Sequence, residues 1–267
     1  MKKIYLSDAE FLAPLPPKNL VRLGGKHDGG YVVAKDALAS SSCLLSFGIS
    51  YDLKFEYDFA ALSGFTHRVY MYDKSTIPAS LKNIWERILS SLKFQSPRPL
   101  LNYAGFIFML RRLIRHGASL KRTNISNIEQ LDCTTLSSIL FQLPEKTGIF
   151  LKIDIEGDEY LILEDIISSL ASFNALVIEF HNVGAYWSKI KFFVRVLKEN
   201  GLLLDHLHVN NYGGLSTNRR PNVIEVSFSR VMNRDSVVRE LPRIGLDSPN
   251  TPLREDFEIS FTHETKD

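Results

Sequence analysis

Apolar runs broken by polar turns recur along this chain, and their spacing sets its architecture. Ile149-Phe150-Leu151-Lys152-Ile153 is apolar but for one lysine, as a strand buried on both faces of a parallel sheet requires. Cys43-Leu44-Leu45-Ser46-Phe47 and Asn174-Ala175-Leu176-Val177-Ile178 read the same way, and His67 to Asp73 supplies a further strand. Helical spacing follows these strands from Leu53 to Ala60, from Leu161 to Ile167, and from Trp187 to Asn200, where Gly201 stops the helix. Asn124 to Cys133 reads as a short third strand and a turn. Leu202 to Asn210 and Asn222 to Ser229 close the pattern as two strands around a glycine loop. Strand and helix alternate, so the expected fold is a Rossmann-like α/β sheet with an antiparallel edge strand, in one domain over residues 1–267. Residues 77–122 interrupt it with helical spacing and form a basic insertion, a cap or lid. The proline-bearing tail from Leu241 to Thr262 is expected to wrap the surface without a core of its own.

Polar residues gather where the strands end. Asp154-Ile155-Glu156-Gly157-Asp158-Glu159 places four carboxylates in six positions directly after an apolar run. One carboxylate would cap a helix; four suit a site at the carboxyl edge of the sheet, where open α/β folds bind ligands. Gly48 ends the first strand and lets a ligand approach the backbone, but the full G-x-G-x-x-G fingerprint is absent. Asp73 ends the second strand, where an acid accepts hydrogen bonds from ribose hydroxyls. Glu179, His181, Asn210 and Asn211 end later strands. Near the start, Arg22 to Tyr31 carries two glycine doublets around Lys26-His27-Asp28. This reads either as a hairpin turn or as a loop that closes over a substrate with Lys26, Asp28 and Tyr31.

Composition narrows the function classes. Hydrophobic residues make up 45% of 267 positions, ample for a core, and a net charge of +2 gives no global attraction to nucleic acid. Cys43 and Cys133 show no metal-site spacing and fit reduced thiols, and the first residues do not read as a signal peptide, so a cytoplasmic protein is expected. Charge is uneven in one place: from Ile77 to Arg122 the only carboxylate is Glu86, among many lysines and arginines. That stretch reads as a helical cap with a solvated basic face, or as a lid that meets an anionic substrate or peripheral membrane surface. Homo-oligomerisation is left open.

Leu151-Lys152-Ile153-Asp154-Ile155-Glu156-Gly157-Asp158-Glu159 is similar to the L-K-I-D-x-E-G-x-E signature of FkbM-type S-adenosylmethionine-dependent methyltransferases. Leu45 to Ser50 with Phe55-Glu56 resembles their first cofactor motif, in a branch that also carries an R-x-G-G-x-x-D-G-G-Y-like segment, matched by Arg22 to Tyr31, and a closing segment like Leu246 to Asn250. The resemblance implies a seven-stranded class I methyltransferase sheet and methyl transfer from S-adenosyl-L-methionine to oxygen, on a glycan, a polysaccharide precursor or a nucleotide-linked sugar. It implies that Gly48, Ile49 and Ser50 line the methionine part of the cofactor, that Asp154 also contacts the cofactor, that Asp73 holds the ribose, and that Asp132 and Cys133 flank the adenine. Asn210 and Asn211 are expected on the substrate side. Ser50 stands where many methyltransferases have a second glycine, and Ser137 where this family often has Asp.

A sugar hydroxyl must lose its proton as the methyl arrives. His181 is the first candidate base, because imidazole titrates near neutral pH; Asp154 is the second, with Glu156 beside it. Asp154, Glu179, His181 and His208 could instead hold a divalent metal such as magnesium, which would lower the hydroxyl pKa. Two other readings compete: a non-catalytic sensor or scaffold that binds the same cofactor, and a nicotinamide-dependent oxidoreductase, which the missing glycine fingerprint disfavours.

Overall fold

The computed structural model describes residues 1–6, 8–76, 81–93, 97–217 and 219–261. Its centre is a seven-stranded sheet. In chain order the strands are β1 (Cys43–Phe47), β2 (Arg68–Tyr72), β3 (Ser119–Lys121), β4 (Ile149–Ile153), β5 (Phe173–Phe180), β6 (Leu203–Val209) and β7 (Ile224–Ser229). In space the order is β6-β7-β5-β4-β1-β2-β3. β1 to β5 pair in parallel, and β7 runs antiparallel to both β5 and β6. The strand order reverses between β1 and β4, where open α/β sheets place their ligand crevice. The antiparallel member is one place in from the edge that β6 occupies.

Both faces of the sheet are covered, which is why its central strands are apolar throughout. Every residue of β1 and β4 is buried. Alternation along β4 sends Ile149, Leu151 and Ile153 to one core and Phe150 to the other. The first core packs under α5 (Leu136–Gln142), α6 (Leu163–Ser168) and α7 (Val183–Glu199). The second packs under α1 (Lys35–Ser40), α2 (Lys54–Leu62) and α4 (Arg98–Arg115), with the hairpin Leu20–Gly24 and Gly30–Ala34. Register aligns Phe47 with both Ile153 and Tyr72, so the ends of β1, β2 and β4 lie level and their loops share one crevice.

Three expectations change in detail. The third strand is Ser119–Lys121, inside the stretch read as an insertion; the helical addition is α3 (Leu81–Lys93) with α4, and residues 77–80 and 94–96 of that stretch lie outside the described residues. Asn124–Ser126 instead pairs with Cys133–Thr135 in a two-stranded ribbon. The tail is not a mere wrapping. Phe257–Ser260 pairs in parallel with Lys2–Tyr5 and antiparallel with Glu240–Leu241, and Leu241, Phe257, Ile259 and Phe261 are buried in the first core. Prolines at positions 242, 249 and 252 hid a segment whose apolar residues are few but well placed.

The tail also completes a buried polar network behind the sheet. His206 Nε2 lies 3.2 Å from Asp247, and Asn250 Nδ2 donates to Glu225. His208 meets Glu225 through Nδ1 at 3.3 Å and Asp256 through Nε2 at 3.5 Å. Burial alone would lower the His208 pKa, but the bonds to Asp256 and Glu225 outweigh it and lift the value to about 10. The stability this imidazolium contributes is complete below the ordinary histidine pKa and is lost as pH rises toward 10. The melting temperature should fall between pH 7 and pH 9, with a slope of at most about 1.4 kcal/mol per pH unit from this group. His208→Gln should flatten that dependence in thermal melts.

Candidate active site at the carboxyl edge of the sheet

Lys152 anchors the crevice. Its position on β4 points it into the second core, where its ammonium lies 3.5 Å from Glu56 of α2 and donates to the Gly48 carbonyl at 2.8 Å. Burial opposes its charge, but Glu56, Asp154 and Glu179 prevail and its pKa is raised. Ser46 donates to Glu56 Oε1 at 2.6 Å, while Glu56 Oε2 is buried without a partner. Gly48 has φ +74°, and a Cβ there would stand 1.6 Å from the Asp154 carbonyl oxygen, so no side chain fits where the β1 and β4 loops touch.

The loop after Gly48 is held by Asp73. Asp73 Oδ2 accepts the N–H groups of Ile49 (2.9 Å) and Ser50 (2.7 Å), and Oδ1 accepts Ser75 Oγ (2.6 Å) and the Thr76 N–H (2.9 Å). Burial pushes its pKa up, but the bonds from Ser75, Ser50, Thr76 and Ile49 more than compensate and the carboxyl is lowered. A carboxylate has about four acceptor positions, and all are filled here. Three donors are backbone; Ser75 alone can rotate away to admit a ribose hydroxyl. Ser50 has φ +45°, a left-handed conformation that favours the glycine of related loops. Asp73 and the Thr76 hydroxyl, which donates to the Ser50 carbonyl, hold it there.

A cleft of about 660 Å³ opens above these loops. Gly48, Ile49, Ser50, Asp73 and Asp154 line it, with Glu56, Lys74, Ser75 and Thr123 to Ile125. Asp132 and Cys133 are not among the lining residues; Asp132 is paired with Lys74 at 2.9 Å. Thr123, Asn124 and Ile125, just after β3, line the cleft on that side.

Asp154 and Glu156 line the cleft, and His181 lies beside them although it is not itself among the lining residues. Asp154, Glu156 and His181 bring ligand atoms within 4.8 Å of one another. Glu159 arranges them: its Oε1 accepts the N–H groups of Ile155 (3.3 Å) and Gly157 (3.0 Å) and lies 3.0 Å from His181 Nδ1. With Nδ1 so engaged, Nε2 is left toward Glu156 (3.6 Å) and Glu179 (3.8 Å). Burial lowers the His181 pKa, but the bond to Glu159 and the charges of Glu159, Asp154 and Glu156 raise it overall. Glu156 itself sits at φ +57°, left-handed for a non-glycine residue and a strain found at functional loops.

Tyr31 ties this cluster to the interior. Its hydroxyl is 3.0 Å from Asp154 Oδ2 and 2.9 Å from Glu179 Oε2, yet a phenol has one proton. Burial, with Asp154 and Glu225 nearby, raises Glu179 well above the usual carboxylate range. The Tyr31 hydroxyl is therefore shared between the two carboxyl groups and donates to one of them at a time. Asn210 donates to Glu179 Oε1 at 2.9 Å. Tyr31 and Asn210 are thus interior supports, and Asn211 bonds to Thr251 and Arg254 carbonyls in the tail. Asp28 lines the cleft from the hairpin turn, whereas exposed Lys26 does not. The turn is a hairpin whose Asp28 and Gly29 line the cleft. His208 lies apart, bound to two carboxylates.

The methyltransferase FkbM domain family matches residues 104–204, which span β3, β4, β5 and the acidic loop. Over that stretch the chain is similar to FkbM-type methyltransferases, a match that supports an S-adenosylmethionine-dependent methyltransferase. No curated protein sequence matches the chain. Among solved structures it is similar to precorrin-6y C5,15-methyltransferase from Geobacter metallireducens GS-15, at 12% identity over 73% of this chain and 86% of that one, TM-score 0.37. It is also similar to geranyl diphosphate C-methyltransferase from Streptomyces coelicolor A3(2), at 12% identity over 73% and 76%, TM-score 0.35.

The cleft of this methyltransferase fits its cofactor. The volume lies within the usual range for small-molecule sites, and the lining is rich in carboxylates, which suit a cationic sulfonium and ammonium. The unpartnered Glu56 oxygen adds to that negative field. Sequence reasoning missed Lys152, Glu56 and Glu159 as organisers, although all three stand within motifs it had singled out.

Asp73→Asn should weaken S-adenosylhomocysteine binding by calorimetry at least about tenfold and lower the melting temperature, because backbone donors lose acceptors. Ser75→Ala should leave affinity within about threefold, since it removes only the exchangeable donor. Ser50→Gly should raise stability by up to about 1 kcal/mol by relieving the left-handed strain.

Proposed function

We propose that this methyltransferase acts on a sugar hydroxyl of a glycan or polysaccharide precursor. The observation that carries this reading is the Asp154–Glu156–His181 cluster at the cleft mouth, with Glu159 fixing the imidazole so that Nε2 is free to take a proton. When bound, the cofactor supplies an electrophilic methyl group; the chain must align a hydroxyl oxygen with it and remove the hydroxyl proton. His181 Nε2 takes that proton. Asp154 and Glu156 beside it stabilise the resulting imidazolium and orient the hydroxyl. Asp28, Asp52 and Asp158 add acceptors along the rim, which suits the several donors of a sugar ring. The same charges repel phosphates, so a neutral glycan is favoured over the diphosphate end of a nucleotide-linked sugar at this rim.

The cluster also has the donors for a divalent ion, which Asp154, Glu156 and His181 would hold and which would acidify the hydroxyl. An imidazole beside two carboxylates favours manganese or zinc over magnesium. Activity that persists in EDTA supports direct proton transfer to His181; activity lost in EDTA and restored by manganese supports the ligand role.

His181→Gln should lower kcat about 10²- to 10⁴-fold while S-adenosylhomocysteine still binds, as expected for loss of a general base. In the wild type, kcat/KM should rise with pH through a pKa above the ordinary histidine value, since only the neutral ring accepts a proton. Glu159→Gln should move that rise to lower pH. Radiolabelled methyl transfer to a panel of neutral glycans and nucleotide sugars tests the acceptor: label on nitrogen or carbon acceptors alone would overturn this reading.

A further inference from the structure

The helical pair α3–α4 carries apolar residues on the wrong side. Tyr103, Phe106, Leu110 and Leu113 of α4 are buried against the second core. The face opposite them, Leu101, Ala104, Phe108, Arg111 and Arg115 at spacings of three and four, points to solvent. Leu101 is 62% exposed and Phe108 60% with α3 in place. On α3, Trp85 and Leu89 are one turn apart and 62% and 50% exposed. A solvated helix would carry polar residues at these positions. Arg111, Arg115, His116, Lys121 and Arg122 are exposed around them. Arg112 is committed inward, over the rings of Tyr57 and Phe65.

We propose that the outer face of the α3–α4 pair is a docking surface for an anionic lipid bilayer. Charge decides the occupant. A second copy of this chain docking face to face would bring arginines against arginines, with Glu86 the sole carboxylate in the whole 77–122 stretch. A nucleic acid would match the arginines but not the apolar middle. A bilayer with anionic headgroups meets both: tryptophan, leucine and phenylalanine enter the interface while arginines pair with phosphates. The location fits. Tyr51, on the glycine loop, packs its ring against Phe106 at 5.4 Å and lines both the cofactor cleft and a recess shared with Leu101. Docking would hold the glycine-loop side of the cleft beside the membrane surface. The proposal does not depend on which hydroxyl is methylated.

The test is sedimentation of the full chain with vesicles of phosphatidylcholine, with and without about 30% phosphatidylglycerol. Binding to the anionic vesicles is expected to exceed that to neutral ones by about tenfold at low salt and to fall severalfold at high salt. Trp85 emission should shift to the blue on binding, and Trp85→Phe should abolish that shift. Leu101→Ser with Phe108→Ser, and separately Arg111→Glu with Arg115→Glu, should each reduce vesicle binding at least about fivefold. All four positions are exposed, so S-adenosylhomocysteine binding serves as the check that each variant is folded. Equal partition to both vesicle types, vesicle binding unchanged in both double variants, or a lipid-free dimer that the same substitutions dissociate would overturn the proposal.

Discussion

One ammonium group holds the catalytic end of this sheet together. Lys152 is buried among Glu56, Asp154 and Glu179, and it donates to the carbonyl of Gly48. It therefore fixes two things at once: the position of α2 against the sheet and the turn that leaves β1. An uncompensated lysine in this place would cost several kcal/mol; an apolar one would leave Glu56 buried without its counter-ion. The acid loops above depend on this arrangement, because the Asp154 carbonyl packs directly onto Gly48 with no room for a side chain.

From that anchor the site is built by carboxylates in three different conditions. Asp73 is ionised and saturated by four donors, so it shapes a loop. Glu179 is raised well above the usual carboxylate range by burial and shares the Tyr31 hydroxyl with Asp154. Glu159 is buried and bonded to one loop and one imidazole, so it orients. The same chemical group thus serves as staple, shared acceptor and positioning arm, while Asp28, Asp52, Asp154, Glu156 and Asp158 line the cleft. Among the described residues no helix is long and apolar enough to cross a membrane.

Much of this was legible in the chain. Continuous apolar runs at Cys43–Phe47 and Ile149–Ile153 gave the central parallel strands, because only a sheet covered on both faces tolerates them. The acidic loop and His181 read as a site and do meet in space. What could not be read were long-range partners. Nothing in the sequence around Tyr31 says that its hydroxyl reaches Asp154, 123 positions away. Ser119–Lys121 was hidden because a three-residue strand at a sheet edge carries no period of its own. The tail was underrated for a related reason: its buried residues are spread between prolines, and their value appears only once Lys2–Tyr5 lies alongside.

That last pairing has a mechanical consequence. Residues 2–5 and 257–260 run side by side in parallel, with four aligned partners from Lys2–Phe257 to Tyr5–Ser260. Tension applied outward from residue 2 and from residue 260 acts along the strands, not across them. The hydrogen bonds between them are then loaded in shear, all together, instead of opening one by one like a zip. A machine that threads the chain from either side would meet its stiffest resistance at the first step, before any strand of the central sheet feels the pull.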